Sequence, residues 1–221
     1  MKYVLASGSP RRKELMQRIS NDFEILVPNV DERAIEEKLY KRFCVHDGDH
    51  GPMQDIACVV SMELALAKAK AAKEILVARG EKDFIIIGCD TSVALPNEIL
   101  GKPKDRDDAV RMLRDECKDP QYVVSGVAFV SDSEELKFCE ITKVIFNPLT
   151  EEQEAKIQAY CDTPEPYDKA GAYGIQLYGD GFVDRVEGDL NNVMGFPVDR
   201  IKRELEKFWG IKGCTNFLFT C

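Results

Sequence analysis

At 221 residues, 44% hydrophobic and 31% charged, the chain has an ordinary globular composition and the length to bury a large core. Its net charge of -9 argues against non-specific nucleic-acid or anionic-membrane binding, which both want a basic surface. No run approaches the roughly 18 apolar residues of a membrane span, and the apolar opening Tyr3 to Ala6 is far too short for a signal peptide. Eight cysteines are scattered with no CxxC pair, which predicts reduced thiols and a cytoplasmic protein.

Lys2 to Ala6 reads as a short strand, and Ser7-Gly8-Ser9-Pro10 turns from it into a helix with Ser9 as N-cap and Pro10 in the first position. Strand, Gly-containing turn and helix start make an anion cradle, because the first amides of the helix are free. Arg11, Arg12 and Lys13 crowd that first turn, where cations oppose the helix dipole. A bound polyphosphate reverses the sign of that interaction. A solvated basic helix start is the plainer reading.

Phe23 to Val27 reads as a second strand, followed by Asp31-Glu32, either a metal-ligand pair or, as the residues alone favour, surface charge. Residues 34–54 form an elaborated polar connection. His46, Asp47, Asp49 and His50 within it tempt a metal assignment, but Gly48 and Gly51 break any helix that would align the histidines. The longest helical stretch is Asp55 to Arg79, with Met62, Ala65, Ala69, Ala72 and Leu76 at three- and four-residue spacing. Lys68 shares a helical line with Leu64, Ala72 and Ile75, so it either snorkels or aims at a phosphate.

Phe84 to Ile87 is an unbroken apolar run closed by Gly88, the pattern of a strand buried on both faces. Asp90 and Thr91 follow as the chain leaves that strand, where open α/β sheets meet their ligands. Asp90 is the leading candidate for the catalytic centre, with a turn-capping Asp as the alternative. Cys89 has no histidine placed to activate it as a nucleophile.

A hairpin about Pro96-Asn97-Glu98 leads to Lys102, held between Gly101 and Pro103. Asp105 caps a helix to about Lys118, strands run over Tyr122 to Val130 and Leu136 to Phe146, and Thr150 to Gln153 is a capping box. In the small-residue segment Asp168 to Gln176, backbone can approach a ligand closely, and Gln176 offers a donor and an acceptor side by side. A strand over Phe182 to Val186 and an amphipathic helix over Val198 to Phe208 complete a single domain of residues 1–208. The 209–221 tail is unpatterned.

Ser7-Gly8-Ser9-Pro10-Arg11-Arg12-Lys13-Glu14-Leu15, Asp31-Glu32, Ala67-Lys68-Ala69, Gly88-Cys89-Asp90-Thr91, Gly101-Lys102-Pro103, Asp168 to Gln176 and Asn192 to Pro197 together resemble the Maf family, in its motif order. The resemblance implies an α/β fold with a mixed central sheet flanked by helices, two lobes around a groove, similar to the inosine triphosphate pyrophosphatases. It implies hydrolysis of a nucleoside triphosphate to monophosphate and pyrophosphate with a divalent metal, Mg²⁺ or Mn²⁺, held by Glu32 and Asp90. Asp90 matches the proton acceptor. Ser7, Arg12, Lys68 and Lys102 match positions around the phosphates, and Arg11, Thr91 and Gln176 match positions linked to substrate preference.

The form Asp-Lys-Ala-Gly-Ala-Tyr-Gly-Ile-Gln resembles the dTTP/UTP branch, whose O4 acceptor and N3–H donor suit a carboxamide. Modified pyrimidine triphosphates are a further substrate class, and a catalytically idle nucleotide-binding regulator of division is the rival from another class. The implied partner is the nucleotide, without nucleic acid or membrane, and a homodimer is compatible with it. Cys89 stands where the family usually has Ala, and Asn147 where it often has Arg.

Overall fold

A computed structural model describes residues 1–43, 52–174 and 181–209. The chain runs β1 (Lys2–Ala6), α1 (Pro10–Met16), β2 (Phe23–Ile25), α2 (Glu32–Phe43), α3 (Met53–Ala78), β3 (Phe84–Ala94), β4 (Ile99–Leu100) and α4 (Arg106–Glu116). It continues through β5 (Gln121–Val130), β6 (Glu135–Phe146), α5 (Glu151–Cys161), two 3-10 turns (Glu165–Asp168 and Ala170–Ala172), β7 (Val183–Glu187), α6 (Leu190–Val193) and α7 (Val198–Trp209). The strands form one mixed sheet in the order β2-β1-β3-β5-β6-β7, with β4 also paired to β3. β1 is parallel to β2 and β3, and every other pairing is antiparallel. This is the expected mixed α/β sheet flanked by helices.

Local chemistry sets the element ends. Ser9 caps α1 and Asp105 caps α4, each accepting from the backbone N–H three residues on. Thr150 Oγ1 accepts from Gln153 N at 3.1 Å at the start of α5, but the Gln153 side chain does not complete a capping box; its Nε2 donates to Phe182 O.

Three further expectations are corrected. Gly88 does not end β3, which continues through Ala94, so Asp90 lies inside a long strand rather than at its exit. Gly88 serves close packing instead: a Cβ there would stand 2.1 Å from Ala65 O on α3, and one at Gly126 would stand 2.1 Å from the Ser61 carbonyl carbon. The sheet edge nonetheless breaks at Asp90. β1 ends with Ala6 opposite Gly88 and β4 begins its pairing at Val93, leaving residues 89–92 of β3 with no strand on that side.

The second correction concerns the thiols. Cys58 on α3 and Cys139 on β6 form a disulfide with Cα atoms 5.8 Å apart, 81 residues apart in sequence. The two glycines let α3 lie low enough on the sheet to bring these side chains together. Cys89, Cys117 and Cys161 are free among the described residues.

Part of the segment read as a polar connection is helix α2, whose Ile35, Leu39 and Tyr40 pack on Ile56, Val60 and Leu64 of α3. His46, Asp47, Asp49 and His50 lie outside the described residues. Among the described residues no helix is long and apolar enough to cross a membrane.

Alternation along β3 sends even-numbered residues to one face and odd-numbered ones to the other. On the even face α3 covers the sheet, its Ala65, Ala69 and Ala72 against Ile86 and Ala128, and its Ala57 and Cys58 against Ala94 and Val124. On the odd face two clusters share the cover. Leu15, Met16, Phe196 and Ile201 pack on Ile87 and Val127, whereas Leu113, Ile157 and Tyr173 belong with Val93 and Val123. Between them lies a polar row across the strands, Thr91 opposite Ser125 and Ser125 opposite Glu140. The two apolar lobes meet at this seam.

Candidate active site

A cleft of about 770 Å³ opens where the seam reaches the broken sheet edge. It is lined from α1 and its preceding turn by Ser7, Arg11 and Arg12, from α2 by Glu32, Glu36 and Tyr40, and from α3 by Lys68. β3 contributes Asp90 and Thr91, the turn after β4 gives Lys102, and residues 168–174 form the far wall. Of the residues to which the resemblance gave a catalytic, phosphate, metal or specificity role, all but Gln176 line this cleft. Gln176 lies outside the described residues.

Asp90 faces α3. Lys68 Nζ donates to Asp90 Oδ1 at 2.6 Å and stands 3.1 Å from Glu32 Oε1, so one ammonium joins two carboxylates from different elements. The Lys68 and Asp90 side chains are each 13% exposed and Glu32 51%, so the pair is sheltered while the cleft side stays wet. Asp90 Oδ2 makes no hydrogen bond among the described residues. The snorkelling lysine and the capping aspartate are thus both set aside by one contact.

Thr91 lies on the opposite face, where Arg12 ties the floor together. Its Nε donates to Gly195 O at 2.9 Å, Nη1 to Cys89 O at 2.7 Å and Ser7 Oγ at 3.5 Å, and Nη2 to Thr91 Oγ1 at 2.9 Å. The acceptor on Cys89 is a carbonyl that the missing neighbour strand leaves open. Thr91 Oγ1 also lies 3.0 Å from Ser125 Oγ. Arg12 therefore spends most of its donors on the protein, while Lys102 is exposed and has no ion-pair partner among the described residues. Arg11 lies close enough to Asp168 to help hold that carboxyl below its usual range, after the larger effect of Lys169.

Glu36 and Tyr40 were missed in the sequence because 34–54 read as loop. The signal was there: Glu36 is one turn beyond Glu32, and Ile35, Leu39 and Tyr40 have amphipathic spacing. Burial, then Asp90 and Glu32, push the Glu36 carboxyl up. Burial, then Glu36 and Asp90, push the Tyr40 phenol up to about 12. Complete burial raises the Cys89 thiol, which donates to Gly195 O at 3.3 Å and is no nucleophile in waiting.

Behind the far wall sits a second missed carboxyl. Glu116 at the end of α4 is 1% exposed, neither of its oxygens has a hydrogen-bond partner among the described residues, and Gly171 (φ +71°) sits so close that a Cβ would approach Oε1 to 2.5 Å. Burial holds this group well above the usual carboxylate range, with Asp115 adding to the shift.

The donor set suits a hard divalent cation. Two carboxylates, Asp90 and Glu32, already face a single positive charge, the Lys68 ammonium, and oxygen ligands are what Mg²⁺ and Mn²⁺ take. Among the described residues no three His, Cys, Asp or Glu side chains group as a ready-made cage.

The fold and cleft define an α/β protein in which paired carboxylates and several cations converge at a break in a mixed sheet. The sequence profile described as Maf-like protein matches residues 2–208. A Bacillus cereus protein named dTTP/UTP pyrophosphatase is 41% identical over 207 residues, covering 94% of this chain and 95% of its own length. One of the same name from Acetivibrio thermocellus is 41% identical over 210 residues, covering 94% and 96%. The Staphylococcus aureus Ham1 protein superposes with a TM-score of 0.47 at 13% identity, covering 94% of this chain and 99% of that one. The chain belongs to the Maf family.

Proposed function

We propose that this protein is a nucleoside triphosphate pyrophosphatase acting on dTTP and UTP, releasing the monophosphate and pyrophosphate. The reaction class is supported by the relatives of that name, which align over nearly the whole chain. The observation that carries the site reading is the Asp90–Lys68 contact of 2.6 Å on a cleft wall shared with Arg11, Arg12 and Lys102. Phosphoryl transfer asks for in-line positioning and charge neutralisation more than for covalent help.

In this reading Asp90 accepts the proton of the attacking water on Oδ2, the oxygen that Lys68 leaves unbonded in the cation-free protein. Lys68, Lys102 and the Ser7 region hold the triphosphate. Arg12 holds the floor on which that chain lies and offers its last N–H to a phosphate. Arg11, Thr91 and Gln176 set the preference for the base. Asp90 and Glu32 would hold the divalent cation, which when bound supplies charge neutralisation at the phosphate oxygens. Residues 1–208 act as one domain, in the cytoplasm, without nucleic acid, and a homodimer is compatible with the single-chain cleft.

The test is pyrophosphate release over a panel of standard and base-modified triphosphates, with and without divalent cation. The expected result is highest kcat/KM for dTTP and UTP, or for a modified pyrimidine, with cation required. No pyrophosphate from any nucleotide overturns the reading.

A further inference from the structure

We propose that Lys68 is the resident counter-cation of the metal seat: its ammonium occupies the place between Asp90 and Glu32 that a divalent cation takes, and cation binding frees it for the phosphates. The proposal rests on the function proposed above and deepens it. Lys68 Nζ is 2.6 Å from Asp90 Oδ1 and 3.1 Å from Glu32 Oε1. A divalent cation binds such oxygens at about 2.0–2.6 Å, so it and the ammonium cannot share the gap. The other positive groups on the cleft are placed elsewhere: Lys169 is bonded to Glu165 and Asp168, and Arg11 acts on Asp168. Arg12 is committed to Gly195, Cys89, Thr91 and Ser7, and Lys102 is paired with neither carboxylate.

The arrangement has two consequences. Without a divalent cation, Lys68 cancels repulsion between two carboxylates and ties the start of α2 to β3 through α3. With one, the lysine loses its partners at the moment that a triphosphate offers new ones. Its flexible four-carbon stem lets the charge swing without moving α3. Cation and nucleotide therefore strengthen each other's binding through Lys68, and by linkage the coupling is reciprocal. A lysine that contacted only phosphate would have no such effect on the empty protein.

The experiment is Mn²⁺ binding without nucleotide, followed by the loss of the free-ion electron paramagnetic resonance signal, for the unaltered protein, Lys68→Met and Lys102→Met. Lys68→Met should bind Mn²⁺ about tenfold or more tighter, because a full charge a few ångströms away is gone. Lys102→Met, which removes the same charge at a greater remove from the pair, should change affinity by less than about threefold. In parallel, Mg²⁺ should increase labelling of Lys68 by an amine-reactive reagent in the unaltered protein, a measurement that stands even if Lys68→Met does not fold. Unchanged or weaker Mn²⁺ binding by a folded Lys68→Met, or Mg²⁺-independent labelling, overturns the inference. If the unaltered enzyme still needs cation for pyrophosphate release in that case, the proposed function survives; release without any divalent cation overturns the cation's part in both.

Discussion

Asp90 lines the cleft and Glu116 is buried behind its far wall, and the surroundings of these two carboxyl groups are opposite. Asp90 is met by an ammonium at 2.6 Å and lines the cleft. Glu116 is sealed, with both oxygens unpartnered among the described residues, behind a glycine that leaves it just enough room. The Asp90 side is held by specific bonds: the Arg12 staple, the Ser61–Ser92 hydroxyl contact at 2.9 Å and the disulfide from α3 to β6. The Glu116 side is held by packing, with a backbone bond from Gly171 N to Gly101 O joining its two loops. A paired carboxylate stays available for chemistry, whereas an unpaired one in apolar surroundings is kept as an acid.

Breaking the Asp90 side has the largest expected effect. Asp90→Asn should lower turnover about a thousandfold while dTTP still binds, as read by steady-state kinetics and calorimetry. Reducing the Cys58–Cys139 bridge, or Cys58→Ser, should cost about 2–4 kcal/mol in denaturant unfolding, with activity largely kept because neither cysteine lines the cleft. Arg12→Ala removes several charge-assisted bonds between three segments and should cost about 2 kcal/mol. Arg12→Lys should recover little of this, since an ammonium cannot reproduce the guanidinium fork.

The Glu116 side gives the smallest and most discriminating change, because it runs the other way. Its carboxyl keeps its proton in the fold, whereas the unfolded chain releases it near the ordinary glutamate value. The folded state thus binds more protons over that window. Stability should be full below the unfolded pKa and decline as pH rises toward the folded one. Glu116→Gln should flatten that decline and gain on the order of 1 kcal/mol at mildly alkaline pH, the scale of one pKa unit of protonation cost removed. Thermal melts from pH 4 to 9 read both effects; a melt that falls with the same slope in the variant would show that Glu116 is not the group responsible.

Much of this was legible in the sequence wherever local chemistry dictates structure. Caps at Ser9, Asp105 and Thr150 marked helix starts, and the apolar run Phe84 to Ile87 marked the central strand. The motif set brought Ser7, Arg11, Arg12, Glu32, Lys68, Asp90, Thr91 and Lys102 to one cleft. What escaped depends on contacts between distant segments. Gly88 looked like a strand terminator because the helix that needs its missing Cβ lies about twenty residues earlier. The disulfide depends on two glycines lowering α3 onto the sheet, which no spacing reveals. Glu116 looked like one more charge at a helix end, since burial behind Gly171 is a property of the assembled wall.

One consequence follows from β3 and β5 passing unbroken beneath both apolar lobes. Their ladder is continuous from Ile86↔Val130 to Ala94↔Tyr122, straight across the Thr91–Ser125 row. The lobes have no flexible joint between them in this region, so their separation is fixed by a rigid floor. Whatever distinguishes one nucleotide from another must then be decided at the rim, by side chains and short turns, rather than by how far two halves swing together.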